Sequence, residues 1–103
     1  LAVTSRTRSP LAPDVPTLDE SGIKGYEIVG WNGIFVPART PRPIIHKLYS
    51  GIAGALALPE VKGRLAAMGA EGVGNTPEQF AAFIKAETAK WAKVVKEAGI
   101  KLD

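Results

Sequence analysis

The groups in this chain that could do chemistry are few, and their spacing argues against catalysis. A hydrolase of the serine type needs a nucleophile, a base and an orienting acid. The only histidine is His46. It follows Ile45 on a segment whose apolar stripe excludes it, which predicts a solvated imidazole. Asp19 and Glu20 are adjacent, and adjacent helical residues point about 100° apart, which makes a poor acid–base dyad. There is no cysteine, hence no disulfide and no thiolate metal site. No His, Asp or Glu cluster has metal-ligand spacing. Gly72-Val-Gly74 is too short for a nucleotide loop, and no strand–loop–helix of the required length follows it. We therefore expect no catalytic residues, no metal and no cofactor.

A binding logic remains. In α/β lobes, ligands lie at the carboxyl ends of strands, where backbone N–H groups and loop side chains are free. Thr4 and Ser5 end a short β-branched segment with two hydroxyls. Trp31 and Asn32 sit beside Gly30 and Gly33, which permit close approach. These four are the candidate ligand-binding residues. Each also has a purely structural reading: Thr4 and Ser5 finish a strand and begin a turn, and Trp31 is a core aromatic.

The elements that must position them can be placed from local signals. Residues 1–5 read as a short buried strand. Pro10, Pro13 and Pro16 recur at the polyproline II period through a crossing loop. That triplet is either a stiff connector or a Pro-x-x-P ligand for an SH3-like partner. Thr17 and Glu20 make a capping box for a helix of about one turn, closed by Gly22. Residues 26–36 form the longest strand candidate, with Gly30 and Gly33 marking a bulge, a bend or a close approach. Its apolar residues do not alternate cleanly.

Helices follow. Residues 42–57 place Ile45, Leu48, Ile52 and Leu56 on one stripe. Pro59 opens a second, shorter helix with Val61, Leu65 and Met68 inward, closed by Gly69. Residues 70–75 suggest a short edge strand. Thr76-Pro-Glu-Gln79 is a strong helix start. It launches the longest helix, near residues 77–98, with Phe80, Ile84, Thr88, Trp91, Val95 and Ala98 as its buried stripe.

Size and charge set outer limits. The chain has 103 residues, 46% of them apolar, and a net charge of +3. That suits one small domain of marginal stability. Lys90, Lys93 and Lys96 alternate with Glu87 and Glu97, a solvated helical face rather than a phosphate-tracking one, so no nucleic-acid partner is expected. No run of about 18 apolar residues exists to span a membrane. The first residue is Leu1, already strand-like, which is the expectation for a piece of a longer protein.

Several short motifs in order resemble one family. Ala2-Val-Thr-Ser5, Arg8-Ser-Pro10, Pro13-Asp-Val-Pro-Thr17, Gly25-Tyr-Glu27 and Trp31-x-Gly33 come first. Val36-Pro-Ala38, Thr40-Pro41, Leu65-Ala-Ala-Met-Gly-Ala70, Thr76-Pro-Glu78, Phe83, Lys90-Trp91 and Ala98-Gly-Ile-Lys101 follow. Together they resemble the C-terminal third of the substrate-binding receptors of tripartite tricarboxylate transporters, the Bug receptors. The departures are small: the family commonly has glycine where Arg39 stands and a polar cap where Leu58 precedes Pro59.

The resemblance implies an α/β chain, the C-terminal part of a type II periplasmic-binding-protein fold, with short strands and three main helices. Residues 1–16 would be the end of a second-lobe strand and a crossing segment, and residues 17–103 the C-terminal part of the first lobe. It implies a periplasmic, non-enzymatic receptor that captures a small organic anion, a carboxylate or an amino acid, for membrane permease subunits. Most of the family's ligand donors lie on loops outside this chain. The alternative reading is a free-standing interaction domain using loop 10–16. The open strand at 26–36 is expected to make the isolated chain self-associate by edge pairing.

Overall fold

The computed structural model describes residues 1–101. Its second half is helical: α1 spans Arg42–Ala57, α2 Pro59–Ala67 and α3 Pro77–Glu97. Each helix opens on a proline, whose fixed φ and missing N–H suit the first turn. At the start of α3 the capping box is complete. The Gln79 N–H donates to Thr76 Oγ1 at 3.1 Å and the Thr76 N–H donates to Gln79 Oε1 at 2.9 Å. At α2, Leu58 occupies the cap and gives no side-chain bond.

The helix ends are equally local in origin. Gly69 takes a φ of 74° and Gly99 one of 65°. The Gly69 and Ala70 N–H groups donate to the Ala66 and Leu65 carbonyls, and the Gly99 and Ile100 N–H groups to those of Lys96 and Val95. Both are Schellman caps, which need a left-handed residue after the helix.

The first 28 residues are stitched by polar bonds. Val3 and Thr17 form a parallel bridge, through Val3 N–H to Pro16 O at 2.9 Å and Leu18 N–H to Val3 O at 3.0 Å. Thr17 and Glu20 exchange both capping-box bonds. The helix expected there is a single hydrogen-bonded turn, which Gly22 leaves at a φ of 105°. The prolines do not build polyproline II. Pro10 and Pro13 are each the second residue of a β-turn, closed by Ala12 N–H to Ser9 O and Val15 N–H to Ala12 O, both at 3.0 Å.

The strand expectations need correction. Residues 1–5 contribute only the bridge at Val3, and residues 26–36 and 70–75 carry no ladder among the described residues. A helix bonds to itself, whereas a strand exists only through a neighbour, and these segments have none among the described residues.

The core expectations change for the same reason. No apolar residue is fully buried among those described, and the most buried side chain is Thr17 at 1% exposure. The radius of gyration is 16.8 Å, against about 13 Å for a compact domain of 100 residues. Ile45, Ile52 and Leu56 are half-buried where α1 meets its neighbours, while Leu48 is exposed. Met68, expected inward, is 73% exposed. On α3 the stripe splits: Phe80, Phe83 and Ile84 are partly covered, whereas Thr88, Trp91, Val95 and Ala98 face outward. The outward half has no facing element among the described residues.

Candidate ligand-binding cleft

Thr4 joins two distant segments. Its hydroxyl donates to Ile28 O at 2.8 Å, and the Ile28 N–H donates to Thr4 O at 2.9 Å. Ser5 closes a local turn, its hydroxyl donating to Thr7 O at 2.8 Å. Both hydroxyl protons are thus directed at main-chain carbonyls. A hydroxyl has one proton, so neither group, as placed, donates to a carboxylate.

Trp31 and Asn32 lie together on the far side of the same concave face. With Val73, Asn75, Phe80 and Phe83 they line a half-open recess of ≈ 120 Å³. Trp31 meets Phe80 and Phe83 edge-on, at centroid distances of 5.7 and 5.2 Å, the geometry that ring quadrupoles favour. Gly33 is what lets this segment approach α3: a Cβ there would sit 2.3 Å from Phe80 Cζ. Gly30 has open space around it. Ser5, Trp31 and Asn32 also border the wide concavity between the N-terminal segment and the helices, and Thr4 is not among its lining residues. The structure therefore brings three of the four candidates to one face and uses Thr4 as the clasp beside it.

Charge on that face is balanced by neighbours. The Lys90 ammonium donates to the Glu27 carbonyl, pairs with Glu87 Oε1 at 3.7 Å, and lies 5.6 Å from the centroid of the Trp91 ring. Trp91 Nε1 donates to Glu87 Oε2 at 2.9 Å. Arg8 binds Glu20 Oε2 at 3.1 Å and Pro13 O at 3.1 Å. This Arg8 hydrogen bond, with help from the Thr17 N–H, holds the Glu20 carboxyl below the usual glutamate range. Glu78 is lowered too, first by its own backbone N–H at the start of α3 and then by Arg42.

Sequence reasoning missed Lys90, Glu87 and Asn75 as parts of this face. The i, i+3 spacing of Glu87 and Lys90 pointed to their pairing, but nothing local pointed to the Glu27 carbonyl 63 residues away. His46 is exposed, as expected. Among the described residues no group of His, Asp or Glu could hold a metal ion, and no helix is long and apolar enough to cross a membrane.

A helical chain of this shape, carrying an open face beside an extended aromatic segment, has the fold of part of a periplasmic binding protein. It superposes over 97% of its length on about a third of two solved proteins. One is the R. palustris protein Rpa4515 with adipate (TM-score 0.82, 37% identity, 33% of that chain). The other is the periplasmic binding protein BugD (TM-score 0.80, 41% identity, 34% of that chain). The chain belongs to the tripartite tricarboxylate transporter family receptors, whose profile matches residues 1–100. It is 40% identical to the UPF0065 protein in the tcbD-tcbE intergenic region of Pseudomonas sp. strain P51, over 94% of this chain and 29% of that protein. It is 39% identical to protein BugT of Bordetella pertussis, over 99% of this chain and 31% of that protein. The chain thus spans about a third of the relatives it matches, and the family and fold expected from the motifs hold.

Proposed function

We propose that this chain supplies the C-terminal third of a periplasmic receptor that captures a small organic anion, a carboxylate or an amino acid, and delivers it to the permease subunits of a tripartite tricarboxylate transporter. The observation that carries this is the superposition of nearly the whole chain on one third of an adipate-bound relative at 37% identity. On this reading residues 1–16 end a strand of the second lobe and cross over, and residues 17–103 belong to the first lobe. Thr4 holds the crossing segment to Ile28 at the hinge, and Ser5, Trp31 and Asn32 line the cleft.

The test is a single polypeptide in which the first two thirds of BugD precede this chain. Calorimetry against a panel of dicarboxylates, tricarboxylates and acidic amino acids is expected to find one bound with micromolar affinity. The chain alone is expected to bind the same acids no better than millimolar, because its hydroxyl donors are committed and the resemblance places most donors elsewhere. Alanine at Ser5, Trp31 or Asn32 in the fusion is expected to weaken binding. A folded fusion that binds none of these acids overturns the ligand class, and unchanged affinity in all three variants removes them from the cleft.

A further inference from the structure

Side chains at alternate positions of the extended segment 29–36 behave differently. Trp31 and Phe35 set their rings against Phe80, at 5.7 and 5.4 Å between centroids, and Gly33 brings its backbone onto the same ring. Ile34, between them, is 68% exposed. A period of two with one face on a helix is the signature of a strand in a helix-covered sheet. Yet the main chain of residues 29–36 makes no hydrogen bond among the described residues. Both edges of this strand are bare, and its second face, carrying Ile34, has no cover.

We infer that residues 29–36 are an inner strand of an incomplete sheet, and that its partner is the portion of a receptor that this chain does not cover, seated by strand addition along both edges with an apolar layer over Ile34. The inference rests on the receptor reading above for the partner's identity. A second copy of this chain fits less well. Twofold pairing through the same strand satisfies one edge of each copy and leaves the other edge bare. A partner with strands for both edges needs substantial chain of its own, and the solved relatives extend over about three times the length matched here. Unpaired backbone and exposed Ile34, Phe35, Val29 and Ile28 then share one cause.

Amide hydrogen exchange on the chain alone and on the BugD fusion tests this. In the chain alone, residues 29–36 are expected to exchange near the unstructured rate. In the fusion they are expected to slow by roughly 100-fold or more, as inner strands do. Ile34→Asp in the fusion should return them toward the fast rate, whereas in the chain alone it should leave helix content unchanged, because no packing within the chain depends on Ile34. Fast exchange at 29–36 in a fusion whose α3 amides are protected and which binds a carboxylate overturns the inference and leaves the receptor reading standing. Protection at 29–36 without any carboxylate binding does the reverse. A closed dimer of the chain alone with 29–36 fully protected makes the second copy the occupant and overturns the choice made here. So does a fusion in which neither 29–36 nor α3 becomes protected, since that portion then fails to complete the sheet.

Discussion

Two residues set by their immediate partners give the sharpest tests. Glu20 accepts from Arg8 and from the Thr17 N–H, so its folded value is depressed. A depressed carboxylate stabilises the fold at pH above its ordinary value and loses that contribution as pH falls through the ordinary value and then the lower folded one. Carbon-detected NMR titration should therefore place the Glu20 midpoint below that of a free glutamate, and Arg8→Ala should raise it. An unchanged midpoint in that variant would assign the shift to Thr17 instead. Gly33 is the second position. Gly33→Ala puts a methyl into Phe80 and forces the ring away from Trp31 and Phe35. Separating each of those ring pairs should cost about 0.5–1.5 kcal/mol. A red shift of Trp31 emission, read in a Trp91→Phe background, checks it. At this scale the sequence was legible in kind and not in address. The hydroxyls of Thr4 and Ser5 were visible as polar groups at a segment end, but the carbonyl that takes the Thr4 proton lies 24 residues on, and no local pattern encodes it.

Among the elements, the helices were readable because what starts and stops them is written within a few residues. Thr76, Pro77 and Gln79 start α3, and Gly69 and Gly99 end α2 and α3 with the backbone bonds their left-handed conformation permits. The strands were readable only as tendency. Residues 26–36 have the composition of a strand, and their alternation, hidden in sequence by apolar residues on both faces, emerges only against Phe80. Two substitutions test the helix logic. Thr76→Ala removes the acceptor of the Gln79 N–H and should cost about 1 kcal/mol, seen as faster exchange of the first-turn amides of α3. Leu58→Asp gives α2 the cap it lacks and places a negative charge at the positive end of the helix dipole. It should stabilise α2 by about 0.5–1 kcal/mol. Leu58 is itself largely exposed, so the substitution removes little packing. A drop in helix content in this variant would show that the Leu58 side chain packs more than its exposure suggests.

For the whole molecule the extent of burial decides behaviour. Ordering a residue's backbone costs roughly 1–2 kcal/mol, and what offsets it in a small domain is mainly the full burial of apolar side chains, each contributing about 1.5–3 kcal/mol. No such side chain is fully buried among the described residues. The outer half of α3 presents Trp91, Val94 and Val95 to solvent, and the bare strand presents Ile34 and Phe35. Local caps still favour helix, so the chain alone should show helical far-ultraviolet dichroism. Without a shared core, nothing couples the helices into one transition. Heating is therefore expected to give a broad, shallow loss of helix signal, with dye binding to exposed apolar surface before melting. Light scattering should show self-association, open-ended rather than a closed dimer, because pairing at one edge of residues 29–36 leaves the other edge to recruit again. The BugD fusion should melt in one sharp transition and scatter as a single copy. A monomeric chain that melts cooperatively on its own, with Trp31 emission blue-shifted by burial, would mean that the chain builds its own core and that both edges of the strand are satisfied from within.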